Sequence, residues 1–175
     1  MGQHEREELE QLNCWVITVS DSRTAASDLS GKLIRDRLRG AGHRVLHHEI
    51  VKDDPAQIRK VLEAASATEE LQVVILSGGT GLAKRDVTAR VVREHLDREL
   101  EGFGELFRYL SYSEVGPFAM LSQATAGTMG NKLVFSLPGS EGAVRLAMDR
   151  LIIPVLGHAV YELEKDNAEG SELEF

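Results

Sequence analysis

The apolar positions of this chain follow two alternating periods. Short apolar runs at residues 14–20, 45–51 and 73–76 have strand character, and each ends in turn-forming residues. Between them, Leu29, Leu33, Ile34 and Leu38 form a helical stripe that stops near Gly40 and Gly42. Pro55 stands at a natural first helical position, followed by Ile58, Val61, Leu62 and Ala65 at i, i+3, i+4 and i+7. Val87, Val91, Val92 and Leu96 predict a third helix. A run of βαβα units implies a parallel sheet covered by helices on both faces, a three-layer αβα fold.

After Leu100 the character changes. Residues 101–112 are helix-capable, with Leu106, Phe107 and Leu110 apolar, and residues 120–124 read as a short helix. Residues 126–129 and 133–137 flank Gly130-Asn131, a two-residue hairpin signal. A helix then runs from Ser140 through Val144, Ala147, Met148 and Leu151, with an apolar face over residues 144–153 available for contacts. Pro154 should break it before a last helix carrying Val160, Tyr161 and Leu163. The ends, 1–12 and 165–175, are charge-rich and read as mobile tails, leaving 13–164 as one α/β domain.

Composition narrows the chemistry. A chain of 175 residues suits one domain that buries about 70% of its extended surface. Its single cysteine, Cys14, excludes an internal disulfide and fits a reducing compartment; beside Trp15 and Val16 it reads as a small buried hydrophobe. No signal-peptide core or membrane-length apolar run is present, so a cytoplasmic location is expected. A formal charge of −8 argues against general nucleic-acid binding. An anionic ligand would need a local positive patch, for which Lys84, Arg85, Arg23, Arg108 and Lys132 are candidates. His43, His47 and His48 lack matching carboxylates and read as solvated histidines, and His158 as structural. No Gly-x-Ser-x-Gly elbow occurs.

The segment with most chemical content is Ser77-Gly78-Gly79-Thr80-Gly81, followed by Lys84-Arg85-Asp86-Val87-Thr88. Three close glycines permit φ > 0 and let backbone N–H groups converge. A strand emptying into such a turn and then into a helix suits an anion. The spacing fits neither a P-loop nor the dinucleotide fingerprint, whose third glycine position holds Lys84. Two readings of Asp86 stay open: part of a site, or an N-cap for the next helix. Turns after parallel strands share the carboxyl edge of the sheet, where ligands bind. Asp21, Asp53, Asp54, the glycines and Asp86 can therefore converge.

These segments resemble the molybdopterin-binding family typified by MogA and MoaB, most closely MoaB, and related to the gephyrin G domain. The likeness extends through Thr18-Val19-Ser20-Asp21-Ser22-Arg23, Asp28-Leu29-Ser30-Gly31, Val51-Lys52-Asp53-Asp54 and Gly102-Phe103-Gly104-Glu105-Leu106-Phe107-Arg108. Leu121-Ser122-Gln123-Ala124 and Leu137-Pro138-Gly139-Ser140 complete the order. The resemblance implies Mg²⁺-dependent transfer of AMP from ATP to the terminal phosphate of molybdopterin, with pyrophosphate released. It implies catalytic, metal-holding roles for Asp53 and Asp86. Ser77, Gly78, Gly79, Thr80, Gly81 and Arg85 would hold phosphates, with Asp21 and Ser22 beside them and Ser122, Pro138, Gly139 and Ser140 on the pterin side. A homotrimer or hexamer is implied, as is contact with other proteins of the pathway. The alternative within the family is a pterin-binding protein without turnover. A pyrophosphatase related to the competence-damage proteins is disfavoured by the intact loop. Three positions depart from the family pattern: Lys52 replaces a common proline, Glu141 a proline or small polar residue, and Gln123 a frequent arginine that could contact substrate phosphate.

Overall fold

Alternation along the strands decides the layering. The structure is a computed structural model that describes the backbone of residues 8–170 and the side chains of residues 8–165. In β1 (Asn13–Val19), Cys14 and Val16 face one side of the sheet, and Trp15, Ile17 and Val19 face the other. β3 (Val73–Ser77) repeats the division, with Val73 and Ile75 opposite in sense to Val74 and Leu76. Both strands are apolar on both faces, as expected at the centre of a covered parallel sheet. β2 (Arg44–Val51), β4 (Arg98–Glu99), β5 (Thr125–Met129) and β6 (Lys132–Leu137) complete it in the order β2-β1-β3-β6-β5-β4. The first four strands in that order are parallel; β5 and β4 run antiparallel to their neighbours.

Helices α1 (Leu29–Gly40), α4 (Glu101–Val115), α5 (Glu141–Ala147) and α6 (Leu156–Gly170) cover one face, burying Ile34, Leu38, Phe107, Val144 and Val160 against it. α2 (Pro55–Ala67) and α3 (Thr88–His95) cover the other with Ile58, Leu62, Val91 and Val92. The predicted three-layer α/β domain and the Gly130-Asn131 hairpin are both present. Among the described residues, no helix is long and apolar enough to cross a membrane.

Several expectations need correction. Residues 8–12 are not a loose tail: Leu12 is fully buried and the Leu9 N–H donates to the Gly157 carbonyl at 3.2 Å. α6 likewise continues to Gly170; residues 1–7 and 171–175 lie outside the described residues. The expected helix at 120–124 is a 3-10 turn at Gly116–Leu121. Gly116, at φ 59°, ends α4, and Pro117 fixes the turn's first residues. β4 carries no apolar signal because its two residues, Arg98 and Glu99, are exposed. The apolar side of 144–153 is not free for contacts, since Val144, Ala147, Met148 and Ile152 are core residues. The exposed apolar surface lies instead on α4 and the 3-10 turn, where Tyr109, Phe118 and Met120 are about three-quarters exposed (76%, 74% and 75%).

Of the three clustered histidines, His47 is exposed as expected, whereas His43 and His48 are not solvated. His47 packs on Trp15 with ring centroids 4.5 Å apart, and His48 Nε2 lies 2.9 Å from Asp28 Oδ2. His43 is buried, and its Nδ1 accepts from the Leu12 N–H at 3.3 Å. Cys14 behaves as read from the sequence: it is buried, and burial pushes its thiol up to about 12.

Burial lowers the His43 pKa below its ordinary value, so the unfolded chain binds more protons as pH falls through the histidine range. The contribution of neutral His43 is complete above its unfolded pKa and is lost as pH falls through the folded one. The urea midpoint should therefore drop from about pH 7.5 to about pH 5.5. His43→Asn, which keeps an acceptor for Leu12, should show a smaller drop; an unchanged slope would remove His43 as its cause.

Candidate active site at the carboxyl edge of the sheet

The four parallel strands release their loops at one edge, and backbone contacts draw those loops together. Gly78, at φ 104°, donates its N–H to the Leu137 carbonyl at 2.9 Å. A Cβ on Gly78 would stand 2.2 Å from the Val19 carbonyl oxygen, and one on Gly139 would stand 3.2 Å from the Gly78 Cα. The ends of β1, β3 and β6 thus meet where no side chain fits. Ser30 Oγ donates to the Gly139 carbonyl at 2.7 Å, tying in α1, and Ser140 caps α5 by accepting from Ala143 N–H.

The two acids after β2 diverge in role. Asp54 caps α2, its carboxylate accepting from Gln57 N–H at 3.0 Å, with Pro55 at the first helical turn. Asp53 turns instead toward the glycine loop. Its N–H donates to Asp21 Oδ1 at 3.1 Å, and its Oδ1 stands 3.5 Å from the Val87 N–H. Gly79, at φ 65°, leaves room for it: a Cβ there would lie 3.0 and 3.1 Å from the two Asp53 oxygens. Asp86 does not cap α3. The cap residue is Val87, without a side-chain bond, while Asp86 Oδ2 accepts from Ala83 N–H at 3.0 Å and lies against Gly81. Asp53 is held above the ordinary carboxylate range by burial first, with the Asp86 and Asp21 carboxylates adding to the rise; the Val87 N–H and Arg85 oppose it.

Beside this acidic corner opens a cleft of about 450 Å³ lined by Thr18, Ser20, Arg23, Asp28, Ser77, Gly78, Gly139 and Ser140 among others. Asp28 and Thr18 enter this cleft from segments whose sequence signals only the family likeness. Thr18 Oγ1 donates to buried Asp28 Oδ2 at 2.6 Å, and Asp28 Oδ1 accepts from Gly31 N–H at 2.9 Å. The signal was a polar position at each of Thr18 and His48 on a strand face that otherwise alternates apolar.

The candidate residues divide accordingly. Ser77, Gly78, Gly139 and Ser140 line the cleft, whereas Asp21, Asp53, Gly79, Gly81 and Asp86 form the acidic corner. Gly78 differs from the expected phosphate donor because its N–H is committed to Leu137. Among the described residues, the N–H groups of Gly79, Thr80 and Gly81 take no partner. Arg85 is exposed on the same loop. Thr80 is buried; its carbonyl accepts from Gln123 N–H at 3.2 Å, and Gln123 Nε2 donates to the Gly81 carbonyl at 2.9 Å. Gln123 therefore holds the loop from behind. Ser122 is turned to its own backbone, Oγ accepting from Ala124 N–H, and Ser22 is exposed on the loop after β1. Pro138 is half-buried at the end of β6 and does not line the cleft. Of the basic candidates, Arg108 is bound to the Ser122 and Ala124 carbonyls, and Lys132 is buried at the opposite end of β6 beside Asn131.

Residues 15–158 match the family described as "Probable molybdopterin binding domain". The chain belongs to this family. It is 49% identical to molybdenum cofactor biosynthesis protein B of Bacillus cereus over 164 residues, covering 93% of this chain and 97% of that protein. A crystal structure of molybdenum cofactor biosynthesis protein B is similar with a TM-score of 0.86 and 50% identity, over 93% of this chain and 99% of the other. The tungsten cofactor synthesizing protein MoaB of Pyrococcus furiosus has a TM-score of 0.79 at 34% identity, covering 89% and 98%. The family match takes in all the strand-edge loops that build the site.

In this MoaB-family edge, Gly79 cannot be replaced without strain. Gly79→Ala places a Cβ 2.1 Å from Thr88 Oγ1 at a positive φ. It should cost at least about 1–2 kcal/mol in urea unfolding, and an unchanged midpoint would show that the turn is not built as described.

Proposed function

We propose that this MoaB-family protein catalyses Mg²⁺-dependent transfer of AMP from ATP to the terminal phosphate of molybdopterin. The observation that carries the reading is the meeting of Asp53 and Asp86 at a glycine turn with three unused N–H groups, beside a polar cleft. Among the described residues, no three His, Cys, Asp or Glu side chains are grouped to hold a metal ion. Two carboxylates completed by phosphate oxygens are a donor set that suits Mg²⁺, so Asp53 and Asp86 fit the ion in the presence of nucleotide. Bound there, Mg²⁺ would offset phosphate charge and polarise the α-phosphoryl group.

The chain's own residues supply position and polarity. The N–H groups of Gly79, Thr80 and Gly81 and the side chain of Arg85 receive ATP phosphates. The cleft between Thr18, Ser77 and Ser140 receives the pterin. A terminal phosphate oxygen of molybdopterin attacks the ATP α-phosphorus. A new P–O bond forms, the bond to the β-phosphate bridging oxygen breaks, and pyrophosphate leaves with that electron pair. The attacking oxygen already carries negative charge, so no side-chain nucleophile is required. The protein is further proposed to act in the cytoplasm as a trimer or hexamer, with the exposed apolar residues of α4 and the 3-10 turn available for assembly.

Asp86→Asn separates charge from shape. Asparagine can still accept from Ala83 N–H, so the loop and the melting temperature should be preserved. Loss of the charge should reduce adenylyl transfer by about 10²–10³, equivalent to about 3–4 kcal/mol. Asp53→Asn should behave alike, and Asp54→Asn should remain active because asparagine caps as well as aspartate. Full transfer by the Asp86→Asn protein would sink the assignment. Pterin binding without any transfer by the unmodified protein would instead favour the non-catalytic reading. ATP affinity should also fall in excess chelator.

A further inference from the structure

Four buried side-chain atoms among the described residues have no hydrogen-bond partner: Trp15 Nε1 and the hydroxyls of Ser77, Thr88 and Ser136. Orphaned buried polar groups are rare, because each forgoes its bonds to water without replacement. Ser77 already belongs to the cleft. Thr88 lies elsewhere. It is fully buried at the start of α3, and its backbone N–H is satisfied by the Gly79 carbonyl at 3.1 Å. Its hydroxyl is not.

The surroundings of that hydroxyl indicate its use. The position of the Cβ that Gly79 lacks is 2.1 Å from Thr88 Oγ1 and 3.0 and 3.1 Å from the two Asp53 oxygens. Hydroxyl and carboxylate therefore crowd one point from different directions, yet no hydrogen bond joins them. Among the described residues, the Asp53 carboxylate meanwhile accepts only the long 3.5 Å contact from the Val87 N–H. A carboxylate that is to hold a cation with one oxygen needs its other oxygen fixed, or it loses orientation.

We propose that Thr88 is a positioning residue for Asp53: its hydroxyl donates to one carboxylate oxygen when the other faces a divalent cation carried by nucleotide phosphates. This rests on the nucleotide-binding reading above. Glycine at position 79 is then required twice, for the turn itself and for leaving the hydroxyl and carboxylate free to meet. The unpaired hydroxyl is a cost borne by the ligand-free fold for a contact formed on loading.

The test uses Thr88→Val, which keeps the shape and removes the hydroxyl, and Thr88→Ser, which keeps the hydroxyl. ATP is titrated calorimetrically into each full-length protein with and without Mg²⁺, and melting temperatures are recorded without ligand. The unmodified protein should bind ATP more tightly with Mg²⁺. In Thr88→Val that Mg²⁺-dependent gain should fall about tenfold, while the ligand-free melting temperature is equal or higher because an unsatisfied hydroxyl is gone. Thr88→Ser should recover the gain to within about twofold, a rescue that loss of packing alone would not give. A Thr88→Val protein with the full gain overturns the proposal, as does one that melts well below the unmodified protein. Absence of any Mg²⁺-dependent gain in the unmodified protein overturns the nucleotide-binding reading itself, and this proposal with it.

Discussion

Gly78 lies with its backbone against the Val19 carbonyl on one side and Gly139 on the other, and the rest of the site follows from that contact. Three parallel strands must end in loops that turn away from one another or pack together. Packing them without intervening side chains brings backbone donors, backbone acceptors and the side chains just beyond them to one place. The hydrogen bonds from Gly78 N–H to Leu137 and from Ser30 to Gly139 lock the arrangement. A side chain at Gly78 would force β1 and β3 apart at their ends and separate the cleft from the acidic corner.

The acidic corner concentrates carboxylates in a chain whose formal charge is already −8. Asp21, Asp53 and Asp86 are neighbours in the ligand-free chain, and burial together with the other two carboxylates raises the Asp53 pKa. A group disfavoured in its charged form is favoured again beside a cation, so under the function proposed above cation and nucleotide binding would reinforce each other. The unused N–H groups of the glycine turn add positive potential without adding a mobile side chain.

The layers were legible because β1 and β3 alternate cleanly and α2 shows an i, i+3, i+4, i+7 stripe. The shared strand edge made the convergence of Asp21, Asp53 and Asp86 legible as well. What escaped was set by tertiary contact. Arg98 and Glu99 form a strand only because β5 offers an edge, which no local pattern records. Leu9 and Leu12, embedded in a charged terminus, are held by α6 and the sheet. His48 looked solvated, but the parallel register pairs it with Val16 and so brings it to Asp28.

The adjacent acids 53 and 54 show how local structure can assign a role that composition cannot. An N-cap residue must be extended while its side chain bends back to the first turn, and Asp54 satisfies both conditions at φ −128° and ψ 126°. Pro55 fixes where the helix begins, and therefore which of the two acids is the cap. The residue before an extended cap points its side chain away from the helix start, and for Asp53 that direction leads to Gly79. The cap on α2 thus selects which carboxylate enters the site. The glycine turn, not a further charged residue, gives it space, and Gln123 secures that turn through Thr80 and Gly81.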